Sequence, residues 1–183
     1  LKVSKLTIEQ KIEKAFKSKA AKKIETYNSK DKKFQKTLEL TNYRYILDFH
    51  KLPEKLVIVD IKNKNKEEKN ERNFILNRTR DVAMYLLAHP ESRQAAFVNN
   101  YDGEDNHCLS YFHFYIRDGG LYLNVYVRSQ NYDTNFLYDA QTFIWACHLM
   151  SQIIQHDFHL EKTIINVHTM SLHRVIKTLK RKK

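Results

Sequence analysis

Cys108 heads a strand-like stretch, Ser110-Tyr-Phe-His-Phe-Tyr-Ile116, that turns at Arg117-Asp-Gly-Gly120 into a second one beginning at Leu121 and ending on Arg128-Ser129. Asp139 follows ten residues after Ser129. A cysteine thiolate is a soft, ionisable nucleophile, and a nearby guanidinium favours the charged form. Cys108 with Arg128 could therefore attack an electrophilic carbon; a lone thiol beside a strand could equally be inert. Asp139 supplies a carboxylate acceptor, or else caps the helix expected after it through Asp-x-x-Thr142. Other chemistries have little footing. Three glycines leave no glycine-rich phosphate loop. Nine histidines, including His156-x-x-His159, form no four-ligand zinc spacing.

The order of these residues resembles the thymidylate synthase family, which includes the deoxycytidylate hydroxymethylases. In that family a Pro-Cys-His segment precedes a Phe-Gln-Phe-Tyr-Val strand, and the return strand ends in Tyr-x-Arg-Ser. Here the counterparts are Cys108, Phe112-His-Phe-Tyr-Ile116 and Tyr126-Val-Arg128-Ser129. Pro90-Glu-Ser-Arg-Gln94 is similar to the family's Pro-x-Ser-Arg-Arg. Val167-His-Thr-Met170 with Ser171-Leu-His173 is similar to its Val-His-Thr-Leu-Gly-Asp-x-His, one residue shorter. The resemblance covers roughly residues 78–175.

The resemblance implies that Cys108 attacks carbon 6 of a pyrimidine deoxynucleotide monophosphate. Carbon 5 then becomes nucleophilic toward a one-carbon unit carried by methylenetetrahydrofolate. Arg128 and Ser129 would hold the phosphate by a charged fork and a hydroxyl, with Arg93 reaching it across a dimer interface. Asp139 would read cytosine, whose amino group a carboxylate accepts and whose place in uracil is taken by an unfavourable carbonyl oxygen. His173 would contact the ribose, with His168 as the alternative. The chain departs from the pattern at Gln94 (a second arginine in the family), Asn131 (an aspartate), Val175 (a tyrosine), and Asn106-His107 and Leu109 around the nucleophile. Neither the helix bearing the family's general-base glutamate nor its tryptophan-containing folate wall has a recognisable counterpart. The one tryptophan, Trp145, lies inside a late helix. A nucleotide half-site is expected and a folate half-site is not.

These residues need a scaffold. Thr7-Ile-Glu-Gln10 reads as a capping box, and Ile8, Ile12, Phe16, Ala20 and Ile24 form an i+4 stripe that predicts a helix, lying on this chain's core or on a partner. Lys55–Asp60 reads as a short strand, and residues 62–70, rich in Lys and Asn, as a mobile loop. A helix is expected over 75–88, stopped by His89-Pro90, then a strand over 94–99 and a loop that delivers Cys108. The Asp-Gly turn marks a β-hairpin whose large residues on both faces suggest a sheet covered on both sides. A strongly apolar helix is expected over 138–155. The expected organisation is a basic helical extension (1–40), a variable segment (41–76), a thymidylate synthase-like domain (77–175) and a basic tail (176–183). The expected fold class is α+β, with a mixed or antiparallel sheet and a long buried helix.

Charge is divided unevenly along the 183 residues. The net +11 comprises +8 in residues 1–36 and +6 in residues 174–183, leaving −3 between them. Such ends could neutralise the phosphates of a nucleic acid, or simply form a solvated surface. No apolar run approaches the ~18–20 residues of a membrane span, so no membrane partner is expected. Two cysteines in a chain of this size point to a reducing, cytoplasmic setting rather than a disulfide scaffold. Two functions remain in view: a pyrimidine nucleotide-modifying enzyme, as a homodimer or larger assembly, and a non-catalytic relative that binds nucleic acid or an assembly.

Overall fold

The computed structural model describes residues 7–28, 33–48, 66–102 and 107–178. Helix α1 (Ile8–Phe16) opens on the expected capping box, with Thr7 Oγ1 accepting from the Gln10 amide and Gln10 Oε1 from the Thr7 amide. The i+4 stripe predicts a helix through Ile24, but the helix ends at Phe16. Ser18 accounts for the stop. Its amide and hydroxyl both donate to the Ala15 carbonyl, and its oxygen accepts from the Ala20 amide, a local turn that competes with the helical ladder. Ile24 belongs instead to strand β1 (Lys22–Asn28), antiparallel to β2 (Lys33–Asp48). Ile12 and Phe16 are buried in this chain's own core, so the stripe needs no partner.

Helix α2 (Lys66–Ala88) starts well before residue 75 and takes in the end of the stretch expected to be a loop. Glu67 and Glu68 occupy its first turn, where negative charge is favoured by the helix dipole. The expected Lys55–Asp60 strand lies outside the described residues, as do tail residues 179–183. Strands β3 (Ala96–Val98), β4 (Leu109–Arg117) and β5 (Gly120–Asn131) follow, then helix α3 (Phe136–Ile154) and strand β6 (Lys162–Thr178). The hairpin turn places Asp118 (φ 47°) and Gly119 (φ 66°) in the left-handed region, which Asp-Gly tolerates.

The six strands form one mixed sheet in the order β1-β2-β6-β5-β4-β3. Among the described strands only β5 and β6 run parallel. A parallel pair needs a crossover connection, and α3 supplies it. Leu121, Leu123, Val125 and Val127 of β5 are fully or almost fully buried beneath α3, whose Phe143 meets Phe112 edge-on at 5.9 Å. Among the described residues nothing covers the opposite face, where the sequence suggested a sheet covered on both sides. Ile46, Tyr126 and Met170 are exposed there. Its other rings pack sideways along the sheet, as Tyr115 on Tyr122 (4.9 Å) and Tyr126 on His168 (5.2 Å).

One irregularity positions the site. Strand pairing passes over Asn42 on β2, Met170 on β6 and Arg128 on β5, and Asn42 has φ 51°. Before this row the buried positions are Tyr45, Thr169 and Val127; beyond it they are Leu40, Leu172 and Gln130. The odd spacings mean that the buried parity changes across three strands together, which is how bulges re-aim side chains. Gln130 turns inward and Arg128 stays at the surface as a result.

Candidate functional site

Cys108 precedes β4, and its carbonyl accepts a 2.7 Å bond from the Arg128 amide of β5. The expected nucleophile and guanidinium are thus cross-strand neighbours. Cys108 shows surface to solvent, yet the protein around its thiol pushes the pKa up by desolvation. Arg128 opposes this through its charge and a side-chain hydrogen bond, while the Asp139 and Glu71 carboxylates add to the rise. Arg128 therefore acts in the expected sense without prevailing. The other cysteine, Cys147, is fully buried in α3 with its thiol pKa strongly raised, and is inert.

Asp139 is not the cap of the helix it opens. The N-cap position of α3 is Asn135, and the Asp139 amide already donates to the Asn135 carbonyl. Its carboxylate is buried: Gln130 Nε2 donates to Asp139 Oδ2 at 2.9 Å, and Tyr45 Oη donates to Gln130 Oε1 at 3.1 Å. This donor direction fixes the Gln130 amide so that Asp139 remains an acceptor. Burial raises the Tyr45 pKa strongly, so its proton stays in place.

Ser129 Oγ lies 3.5 Å from His173 Nδ1 on neighbouring β6. Burial lowers the His173 pKa, favouring the neutral ring. His168 instead stacks on Tyr126 on the open face, so His173 is the histidine beside Ser129. Arg93 does not join this group within one chain. It is exposed in the segment after α2, where its backbone accepts from the His113 ring.

The structure adds residues that the sequence did not signal. Glu71 of α2 accepts from Asn99 Nδ2 at 2.6 Å and lies 3.9 Å from His107 Nδ1, while His107 Nε2 is 2.7 Å from Asp102 Oδ1. Burial raises the Glu71 pKa despite the Asn99 hydrogen bond. Next to it the buried Arg72 reaches Thr142 Oγ1 (3.0 Å) and the Tyr138 carbonyl (3.2 Å), its guanidinium over the Tyr138 and Trp145 rings. Trp145 is thereby committed to the α2–α3 contact. With Asn131 where the family carries an aspartate, the described residues do not fit a folate wall.

The comparisons with known proteins divide sharply between sequence and shape. No protein-family model matches the sequence, and no curated protein matches it. Among solved structures, a thymidylate synthase from T4 phage is similar, with a TM-score of 0.65 and 12% identity over 94% of this chain and 77% of that one. A thermostable thymidylate synthase A from Bacillus subtilis gives a TM-score of 0.57 and 15% identity over 90% and 77% of the two chains. The fold is thymidylate synthase-like, α+β around a mixed sheet.

Proposed function

We propose that this chain binds a pyrimidine deoxynucleotide monophosphate and activates its ring at carbon 5 through addition of Cys108, as a thymidylate synthase-like transferase with cytosine favoured. The observation that carries this reading is the convergence of Cys108, just before β4, with Arg128 of β5 and Asp139 of α3, the Arg128 amide bonded to the Cys108 carbonyl and both charged groups acting on its thiol. Arg128 and Ser129 hold the phosphate, with His173 beside Ser129 for the sugar. Asp139, kept an acceptor by Gln130, takes the cytosine amino group. Sulfur adds to carbon 6, and the displaced π pair makes carbon 5 nucleophilic. Methylenetetrahydrofolate is the one-carbon donor that the lineage implies. The described residues do not fit a folate wall.

A second copy of the chain is the proposed cover for the open face of the sheet, where Ile46, Tyr126 and Met170 stand exposed, and the proposed route by which Arg93 reaches a phosphate. The alternative is a non-catalytic relative whose basic ends bind nucleic acid or an assembly. The raised Cys108 pKa is the observation that favours it. Calorimetry with deoxycytidylate and deoxyuridylate tests the main reading. Deoxycytidylate should bind more tightly, Asp139→Asn should reduce or reverse the preference, and Arg128→Ala should weaken binding about 10-fold or more, since a charge-assisted hydrogen bond contributes ~1.5–3 kcal/mol. Absence of binding for both nucleotides would refute the site.

A further inference from the structure

Gln130 of β5 is the one polar residue in a row of three paired positions, with Leu172 of β6 and Leu40 of β2, all of them buried. An amide sealed beside leucines costs stability unless its ends are hydrogen-bonded. Here both ends are met, by residues from two other elements. From β2, Tyr45 Oη donates to Oε1 at 3.1 Å, and on α3 Asp139 Oδ2 accepts from Nε2 at 2.9 Å. Gln130 is fully buried, so bulk water replaces neither partner. An apolar side chain would complete the row without that cost. What the amide adds is a fixed link between a phenol and a carboxylate.

The two bonds have a direction. Burial pushes the Tyr45 pKa up strongly, so the phenol keeps its proton, and among the described residues its hydroxyl bonds only Gln130. Turning the amide over would set Nε2 at the hydroxyl and Oε1 against Asp139 Oδ2. The buried phenol proton would then be unmet, which is unfavourable. Two acceptors would also face each other unless Asp139 took up a proton. The Tyr45 hydroxyl therefore holds the amide N–H on Asp139, and a donor to the ionised form of a carboxylate favours that form.

We infer that Tyr45, acting through Gln130, is a specificity-determining positioning residue that sets how strongly this site prefers cytosine over uracil. This rests on the nucleotide reading above, in which Asp139 meets the base. It places control of the preference behind Asp139, at a side chain with no part in holding the nucleotide. An ionised Asp139 accepts from the cytosine amino group in a charge-assisted bond, about twice as strong as a neutral one, and repels the uracil carbonyl oxygen. A protonated Asp139 binds the amino group more weakly and has a hydroxyl to offer the uracil oxygen. The Tyr45 hydroxyl keeps the site in the first state. Other titratable or charged groups also act on Asp139: Arg72 from α2, Cys108 ahead of β4 and Tyr138 on its own helix. All three are retained in Tyr45→Phe, so that variant isolates the hydroxyl.

The experiment is calorimetry of deoxycytidylate and deoxyuridylate with wild type and Tyr45→Phe, alongside NMR of the Gln130 side-chain amide without nucleotide. Tyr45→Phe keeps the ring that packs on Phe136 at 5.4 Å, and Cys147 left unlabelled by iodoacetamide shows that the fold is kept. The affinity ratio should fall about 5-fold or more, through weaker deoxycytidylate binding. The Gln130 amide signal should lose the downfield position of a hydrogen bond to a carboxylate. Gln130→Met, which fills similar space, should lower the ratio at least as far. A ratio within about twofold of wild type in Tyr45→Phe overturns the inference, as does parallel weakening of both nucleotides, the mark of a merely structural role. An unchanged amide signal overturns it with no nucleotide involved. Wild type that prefers deoxycytidylate while the variant ratio holds overturns the inference but leaves the nucleotide reading standing. Wild type that binds neither nucleotide, or both equally, overturns that reading and the inference together.

Discussion

Arg128→Ala should make Cys108 a poorer nucleophile, and the size of the effect follows from the structure. Burial drives the thiol pKa up, and Arg128 is the group that pulls it back, by charge and by hydrogen bond. A hydrogen bond to a charged group contributes ~1.5–3 kcal/mol, but Arg128 is itself exposed and water screens it, so the lower end applies. About 1.4 kcal/mol corresponds to about one pKa unit and thus about 10-fold less thiolate at any pH below the midpoint. The assay is the rate of iodoacetamide alkylation between pH 7 and 10, read by mass spectrometry at Cys108. Arg128→Ala should shift the profile about one unit toward alkali, and Arg128→Lys should shift it less, keeping the charge without the fork. Cys147, fully buried, should stay unlabelled in each variant and certifies the fold. An unshifted or faster profile in folded Arg128→Ala would refute the idea that this guanidinium serves the thiol.

Other consequences are open to measurement. Gln130→Leu removes the buried bridge between Tyr45 and Asp139 and should lower unfolding free energy in urea by about 2–4 kcal/mol, since unmet buried polar groups cost ~1–3 kcal/mol each; a loss below about 0.5 kcal/mol would argue against the bridge. His173, its pKa lowered by burial, should titrate below 6.5 by NMR. Stability tied to it should be complete above about pH 6.5 and fall as pH drops toward the folded pKa, an effect absent in His173→Asn. Arg174 joins Glu13 of α1 (2.6 Å) to Asp133 (2.9 Å) and holds the Glu13 pKa down. Its contribution, present above about pH 4.5 and lost as pH falls through the lowered value, should be under about 1 kcal/mol because the pair is partly exposed; Arg174→Gln should flatten that part of the acid limb of a urea midpoint series.

What could be read from the sequence was whatever the chain declares locally. Thr7 and Gln10 announce their cap three residues apart, and Asp118-Gly119 announces its turn between strands of period two. Ile24 misled because a residue four beyond Ala20 also fits a helix, and only the Ser18 turn separates the two readings. Glu71, Asn99, Gln130 and Tyr45 left no trace, because their hydrogen bonds join residues 28 and 85 positions apart. Arg72 fell between the expected loop over 62–70 and the expected helix over 75–88, with nothing local to mark it as buried. It is buried because the aromatic rings it needs arrive from α3.

The bond between the Arg128 amide and the Cys108 carbonyl bears on how this protein can diverge. Two groups that must keep a fixed separation are spaced by the ladder of a hairpin and not by the segment that leads into Cys108. Residues can be added to or removed from the stretch between β3 and β4 with the Cys108–Arg128 spacing intact, provided the pairing of β4 with β5 survives. Such a stretch is free to change in length and chemistry, whereas Leu109, paired with Val127 and buried, is held by the ladder itself. A search for relatives by the residues ahead of the cysteine would lose them early. A search by the distance from cysteine to Arg-Ser along the hairpin would hold on to them far longer.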